Sequence, residues 1–394
     1  MIKIKAKDFI NLAIVFIWFF ILYFSLSASF EHALGGDRKY SDGKYYLVFE
    51  VATLVYILFK RRIGIVSFNI VCATFGCVQV LGLMLADQLN AVAIMRSISW
   101  IFFLIVIFEY SKDCEEEDTE NFLNLLSIGY VLLSIFIIIK IIEYRVQIVD
   151  IGGVNEIYTI LLAFPIIFAC KNILIKSIAQ LSTIVMVLLA LKATAVIAIL
   201  AAYGTFFFVS PKIDNKKISK WMIRIIFFLL VAIAAIYVIN SFGIVELEGG
   251  LLNKFLEVDS TGGSGRIDIW KDSMKIQSES SLVEFLLGHG YNTLVNYIGF
   301  SAHNDFIEVM FDYGLIGLVL YVFIYIILIK QTKMLIKNKN KYAPILAVST
   351  AMTFVVSMTS HLVIYNGLLT NCAIVWGLCI SENYRTNVIT EGRR

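Results

Sequence analysis

The chain has 394 residues, of which 59% are hydrophobic and 16% charged, and its mean hydropathy is +0.82. A soluble domain carries about 25% charged residues, so water is not the main solvent of this one. The 33 Lys and Arg against 30 Asp and Glu leave a net charge of +3, too small to imply a nucleic-acid surface, and the six cysteines show neither a C-x-x-C pair nor a histidine at ligand spacing, so neither a zinc site nor a disulfide framework is expected.

A bilayer core about 30 Å thick takes roughly 20 apolar residues per helical span. About twelve runs qualify, near 9–28, 45–59, 63–85, 91–110, 122–142, 154–170, 173–191, 193–209, 221–242, 306–329, 343–363 and 366–380. They are continuously apolar, not alternating, which favours helices over a lipid-facing barrel. The expectation is an all-α polytopic membrane protein. It has N-terminal spans over 1–242, one long outer loop over 243–305, and C-terminal spans with a tail over 306–394.

Lys3, Lys5 and Lys7 precede the first run, whose length suits an uncleaved start-transfer helix better than a signal peptide. Basic residues then recur in alternate loops: Lys60-Arg61-Arg62, then Lys212, Lys216, Lys217 and Lys220, then Lys330, Lys333, Lys337, Lys339 and Lys341, and finally Arg393-Arg394. The positive-inside rule places these loops and both termini in the cytoplasm. The acidic run Glu115-Glu116-Glu117-Asp118 falls on that same side.

The long loop interleaves glycines and charges with Trp270 and Phe285-Leu286-Leu287 at amphipathic spacing. A disordered tether would lack such residues, so short helices on the membrane surface are expected there. Charged groups within or at the ends of spans are costly and are functional candidates by default. Arg96, Lys140, Lys192 and, in the loop, Arg266 lie toward the outer side. Lys140 can lift its ammonium to the interface on its long stem. Lys192 sits at a tight turn and holds its charge at the outer mouth of the bundle. Several outward cations call for an anion, and a pyrophosphate suits them: an arginine can grip two of its oxygens at once.

A second cluster runs from Ala302-His303-Asn304-Asp305 to Asp312-Tyr313-Gly314-Leu315-Ile316-Gly317. His303 stands at the start of a helix, on which Asp305, Glu308 and Asp312 fall within about 60° of one another. That acidic stripe is expected to face a wet cavity or neighbouring cations, and Gly314 and Gly317 to admit another helix. A neutral imidazole at His303 can take a proton from a hydroxyl. His361 is a candidate for the same cavity, whereas His32 and His289 read as solvated loop histidines and Gly288–Asn292 as a turn.

Ser264-Gly265-Arg266 followed by Ile269-Trp270, then Leu287-Gly288-His289-Gly290, then Ala302-His303-Asn304-Asp305 with Asp312-Tyr313-Gly314-Leu315-Ile316-Gly317 behind it, resembles the O-antigen ligase and polymerase superfamily. The match covers roughly residues 260–325. The resemblance implies a GT-C-like membrane glycosyltransferase in the bacterial cytoplasmic membrane, its active site facing the exterior. It would take glycan from undecaprenyl pyrophosphate to a hydroxyl acceptor, inverting the anomeric centre, with no metal, nucleotide or other cofactor. Its implied partners are the lipid-linked oligosaccharide, the bilayer, a chain-length regulator and a flippase. By the same resemblance Arg266 binds pyrophosphate, His303 is catalytic, Lys192 stands where relatives carry an arginine, and Asp312 is the acid ahead of the glycines. Arg96, Asp305 and His361 complete the candidate substrate site. A polymerase is favoured over a ligase that would move the glycan onto lipid A core. A secondary transporter also suits twelve spans, but only Pro165 lies within a span, no interrupted helix is legible, and the long loop breaks any symmetry of halves.

Overall fold

In a computed structural model, residues 6–33, 43–60, 64, 66–147, 154–213, 266–363 and 366–391 are described. The predicted ninth span (221–242), the first part of the long loop (243–265), the side chain of His32, and Arg61, Arg62, Lys216, Lys217, Lys220, Arg393 and Arg394 lie outside them. The described residues contain no strand. Their helices are α1 (Ala6–Ala33), α2 (Gly43–Phe59), α3 (Ser67–Leu85), α4 (Ala91–Ser111), α5 (Glu116–Gln147), α6 (Tyr158–Leu161), α7 (Pro165–Ala169), α8 (Ile173–Leu189), α9 (Ala193–Val209), α10 (Arg266–Glu279), α11 (Leu282–Leu287), α12 (Leu294–Ile298), α13 (Asp305–Lys337), α14 (Ala343–Thr359) and α15 (Asn366–Glu391). Six stretches are long and apolar enough to cross a membrane: Lys7–Glu31, Ser67–Leu85, Ala91–Ser111, Glu116–Tyr144, Ala193–Lys212 and Asp305–Lys337. Shorter apolar helices cover Tyr46–Phe59, Asn155–Ala169, Ile173–Leu189 and Ala343–Thr359. Among the described residues, length and composition thus support six crossings.

Asparagine starts several helices, its side chain accepting amides that the first turn leaves without partners. Asn90 accepts from Ala93 N, Asn172 from Leu174 N and Ile175 N, and Asn304 from Phe306 N and Ile307 N. In the interior, the indoles of Trp18 and Trp100 are also satisfied. Trp18 Nε1 donates to Asn371 Oδ1 at 2.7 Å and Trp100 Nε1 to Gln79 Oε1 at 3.1 Å, which an apolar medium demands of a buried donor.

One end of the bundle is tied by ion pairs. Lys7 meets Asp118 at 2.7 Å, Lys60 meets Glu109 and Asp113 at 3.0 Å, Lys112 meets Glu109 at 2.7 Å, and Lys171 meets Glu120 at 2.5 Å. Lys341 pairs with Glu116 and Glu120. The acidic run therefore shares one end with Lys7, Lys60 and Lys341 and pairs with Lys7 through Asp118 and with Lys341 through Glu116. Glu109 is 0% exposed and also accepts from Gly64 N at 2.7 Å. Glu109→Ala should lower stability by about 3–5 kcal/mol, because it leaves two partly buried ammonium groups facing each other. Thermal unfolding in detergent reads this as a lowered midpoint.

The sixth predicted run is interrupted, contrary to the reading that found no broken helix. A 3-10 turn (Asn155–Ile157) leads into α6, and α7 begins anew at Pro165. Pro165 has no N–H to donate, and the turn ahead of it tightens, Ala163 N donating to Ile160 O at 2.9 Å and Phe164 N to Leu161 O at 3.0 Å. Leu162, Ala163 and Phe164 are buried at the interruption, and Asn371 Nδ2 donates to Thr159 O. The break lies within packed apolar side chains.

The helix predicted over 306–329 is not straight. Gly314 has φ 66° and ψ −169° inside α13. Tyr321 OH nevertheless donates to Asp305 Oδ2 at 2.9 Å, and the Phe306 ring lies 5.5 Å from that of Tyr321. Sixteen residues of straight helix would separate the two ends by about 24 Å. Residues 305–313 thus fold back against residues 315–325, with Gly314 at the apex. The backbone of Leu286–Gly288 fills the apex: a Cβ on Gly314 would lie 2.4 Å from Leu286 C and O, and one on Gly288 would lie 2.3 Å from Asp312 C and O. Gly317 faces Tyr313 and Val309 of its own chain, not a separate helix. Gly314→Ala should cost at least about 1–2 kcal/mol from the left-handed backbone alone. The clash adds to that, and the yield of folded protein after detergent extraction should fall.

Candidate active site

At the end of the bundle opposite the ion pairs, the turns 86–90, 190–192, 288–292 and 299–304 gather with residues 359–363. Tyr291 N donates to Gly82 O at 2.8 Å and Val154 N to Ala190 O at 3.1 Å. The long segment enters this region with α10, on which Arg266 and Trp270 are four residues apart and share a face. Trp270 Nε1 donates to Ala302 O at 2.7 Å, and Arg266 Nη1 donates to Thr359 O at 3.1 Å. Ile269, Trp270 and Ile276 pack on Leu294, Ala302 and Phe311. One apolar contact and two hydrogen bonds thus fix α10 beside the residue preceding His303.

His303 has φ 50° and Leu191, just ahead of Lys192, has φ 51°. Such torsions cost a non-glycine residue about 1–3 kcal/mol and persist where surroundings over-determine them. At His303 the neighbouring ties are visible. Asn304 caps the helix that follows and its Nδ2 donates to Met358 O at 3.3 Å, while Ala302 N donates to Glu308 Oε1 at 2.6 Å. The His303 ring stacks on that of His361, centroids 4.8 Å apart and planes 30° apart, and His361 Nδ1 hydrogen-bonds with Ser301 Oγ at 3.1 Å.

Burial depresses the His303 pKa to about 4, and the charges of Arg266 and Lys192 add to the effect. Burial likewise holds His361 at about 3, helped by His303, Lys192 and Arg266. Both imidazoles are neutral near pH 7. These mutual effects place Arg266, Lys192, His303 and His361 in one electrostatic neighbourhood. Burial also pushes the Arg266 guanidinium down from its ordinary value, with the Tyr158 hydroxyl opposing. Arg266 is half-buried, and among the described residues no carboxylate pairs with it. Arg96 sits in the second turn of α4 at this same end, but the charges acting on His303 are those of Arg266 and Lys192. Lys140 pairs with Glu143 at 2.7 Å.

The acidic stripe is buried and, among the described residues, is met by backbone amides and not by cations. Asp305 Oδ1 accepts from Leu362 N at 2.7 Å and Val363 N at 3.2 Å; Glu308 takes the Ala302 amide; Asp312 Oδ2 accepts from Asn292 N at 2.8 Å. A carboxylate satisfies orphan backbone amides better than lipid can, and these three fasten loops. His289 is half-buried and packed. Its ring stacks on Phe311 at 4.3 Å, its N donates to Phe311 O at 2.9 Å, and its Nε2 meets Ser280 Oγ at 3.0 Å. The Gly288–Asn292 turn is thereby the clasp on the broken helix.

Thr359, Ser301 and Tyr158 were missed as neighbours of the site because no local pattern marks them. Trp270 could have been found: its spacing from Arg266 already puts both on one helical face. Among the described residues no group of three or more His, Cys, Asp or Glu could hold a metal ion.

Residues 178–322 match a protein-family model described as O-Antigen ligase. The matched stretch holds Lys192, Arg266 and His303 and ends before Thr359 and His361. No curated protein matches the chain.

Proposed function

We propose, from the match of residues 178–322 to the O-antigen ligase family model, that the chain is a polymerase of O-antigen or capsule repeat units. It transfers glycan from undecaprenyl pyrophosphate to a sugar hydroxyl at the outer face of the cytoplasmic membrane. The observation that carries this reading is Arg266: a half-buried cation without a carboxylate partner among the described residues, in the same electrostatic neighbourhood as neutral His303. Such a group is balanced by an anionic substrate.

As the anomeric carbon leaves the diphosphate, negative charge grows on the departing oxygen. Arg266 and Lys192 are already in place to stabilise it, and preorganised charge acts most strongly where water is excluded. His303 accepts the proton of the attacking hydroxyl. Direct displacement inverts the anomeric centre. His361, stacked on His303, helps line the site, Asp305 and Asp312 serve the backbone, and Arg96, at the same end of the bundle, is a further group for the substrate. Ion pairs around Lys7, Lys60 and Lys341 at the far end support an orientation with that end in the cytoplasm and the site outside. About twelve spans, one of them over 221–242, complete the proposed topology.

A ligase is the second reading, favoured by the description of the matched family; it differs in the acceptor, lipid A core instead of a growing chain. Gene deletion followed by electrophoresis of surface polysaccharide separates the two. Loss of long chains with retention of single-repeat caps is expected. Loss of all caps would assign the ligase reaction, and unchanged chains would remove both.

A further inference from the structure

Asp305 is 0% exposed, and its carboxylate joins three parts of the chain. It follows Asn304 in the loop that carries His303. Its Oδ1 accepts from Leu362 N at 2.7 Å and Val363 N at 3.2 Å, in the turn that carries His361. Its Oδ2 accepts from Tyr321 OH at 2.9 Å, and Tyr321 and Tyr325 each meet Ser357 Oγ at 2.7 Å. That last pair of contacts ties the folded-back helix to α14 just before Thr359, whose carbonyl orients Arg266.

From this geometry we infer that Asp305 is a positioning residue, which holds the 360–363 turn so that the His303 and His361 rings meet and the carbonyl anchoring Arg266 stays in register. This rests on the glycosyl-transfer reading above. Without the carboxylate, two buried amides lose their acceptor and the turn has to move to find another. A displacement of about 1 Å at reacting groups can cost up to a hundredfold in rate. Asparagine at this position keeps an oxygen for both amides, and its Nδ2 can donate to the Tyr321 oxygen while Tyr321 donates to Ser357.

The test uses the full chain in lipid nanodiscs with a lipid-linked repeat as donor and acceptor, the amount of folded protein being measured separately. Asp305→Ala is expected to lower kcat per folded molecule by about tenfold to a hundredfold, on the scale of a small misplacement, with a much smaller change in KM. The acid limb of its pH profile should move up toward the ordinary histidine range as the imidazoles become better hydrated. Asp305→Asn should restore most of kcat and the acid limb. A role confined to stability would reduce the folded fraction and leave kcat and the pH profile per folded molecule unchanged, and that result overturns the inference. Should the alanine variant fail to accumulate, Asp305→Ser, which retains a shorter acceptor, takes the same test. His303→Ala run alongside separates the two claims. If it keeps full kcat, the transfer reading fails; if it is inactive while Asp305→Ala matches wild type, the inference alone fails.

Discussion

Arg266→Ala is expected to lower the rate of glycan transfer by about a hundredfold to a thousandfold, the scale of losing one preorganised electrostatic donor. The loss should appear in kcat, because the charge on the departing diphosphate oxygen is largest in the transition state. One N–H of the guanidinium is committed to Thr359 O at 3.1 Å, which fixes the plane in which the others are presented. Arg266→Lys keeps the charge but loses both that tie and the paired geometry, so recovery should be partial. Initial rates in vesicles reconstituted with a lipid-linked repeat measure this. A rate for Arg266→Ala within threefold of wild type, at equal protein, would remove the arginine from the mechanism.

His303→Ala should cost a comparable amount, on the order of a hundredfold to ten-thousandfold for loss of a positioned base. The pH dependence carries more information. With a folded-state pKa of about 4, the free imidazole is a base across the neutral range, so kcat/KM should stay level as pH falls from 8 and decline only on approaching 4. A bound diphosphate adds negative charge beside the ring and favours its protonated form. The acid limb of kcat should therefore lie at higher pH than that of kcat/KM. Coincident limbs would mean that the donor does not sit against His303. Stability follows the same depression: an unfolded histidine takes up its proton near a pH of about 6.5. The stabilisation is complete above that pH and is progressively lost as pH falls toward the folded value.

The helical class and the most apolar crossings are legible from hydropathy because the bilayer imposes both length and composition. Arg266 and His303 were legible as candidates through motif and through the cost of stray charge. Their common anchor was not, because the 359–363 turn is distant in sequence and contributes backbone carbonyl and amide groups as well as His361. The reversal at Gly314 rests on one pair of torsions that an apolar run does not disclose. It also bears on the acidic stripe: the helical wheel groups Asp305, Glu308 and Asp312 correctly, but in the folded chain each of the three takes a backbone amide of a loop. His289 failed for a related reason, since its partners Phe311 and Ser280 belong to the fold-back and its clasp.

The most direct measurement is the affinity of the purified protein in nanodiscs for a polyprenyl diphosphate against the matching polyprenyl alcohol, in wild type and in Arg266→Ala. A strong preference of wild type for the diphosphate, largely lost in the variant, is the predicted result. Equal preference in both proteins would contradict it.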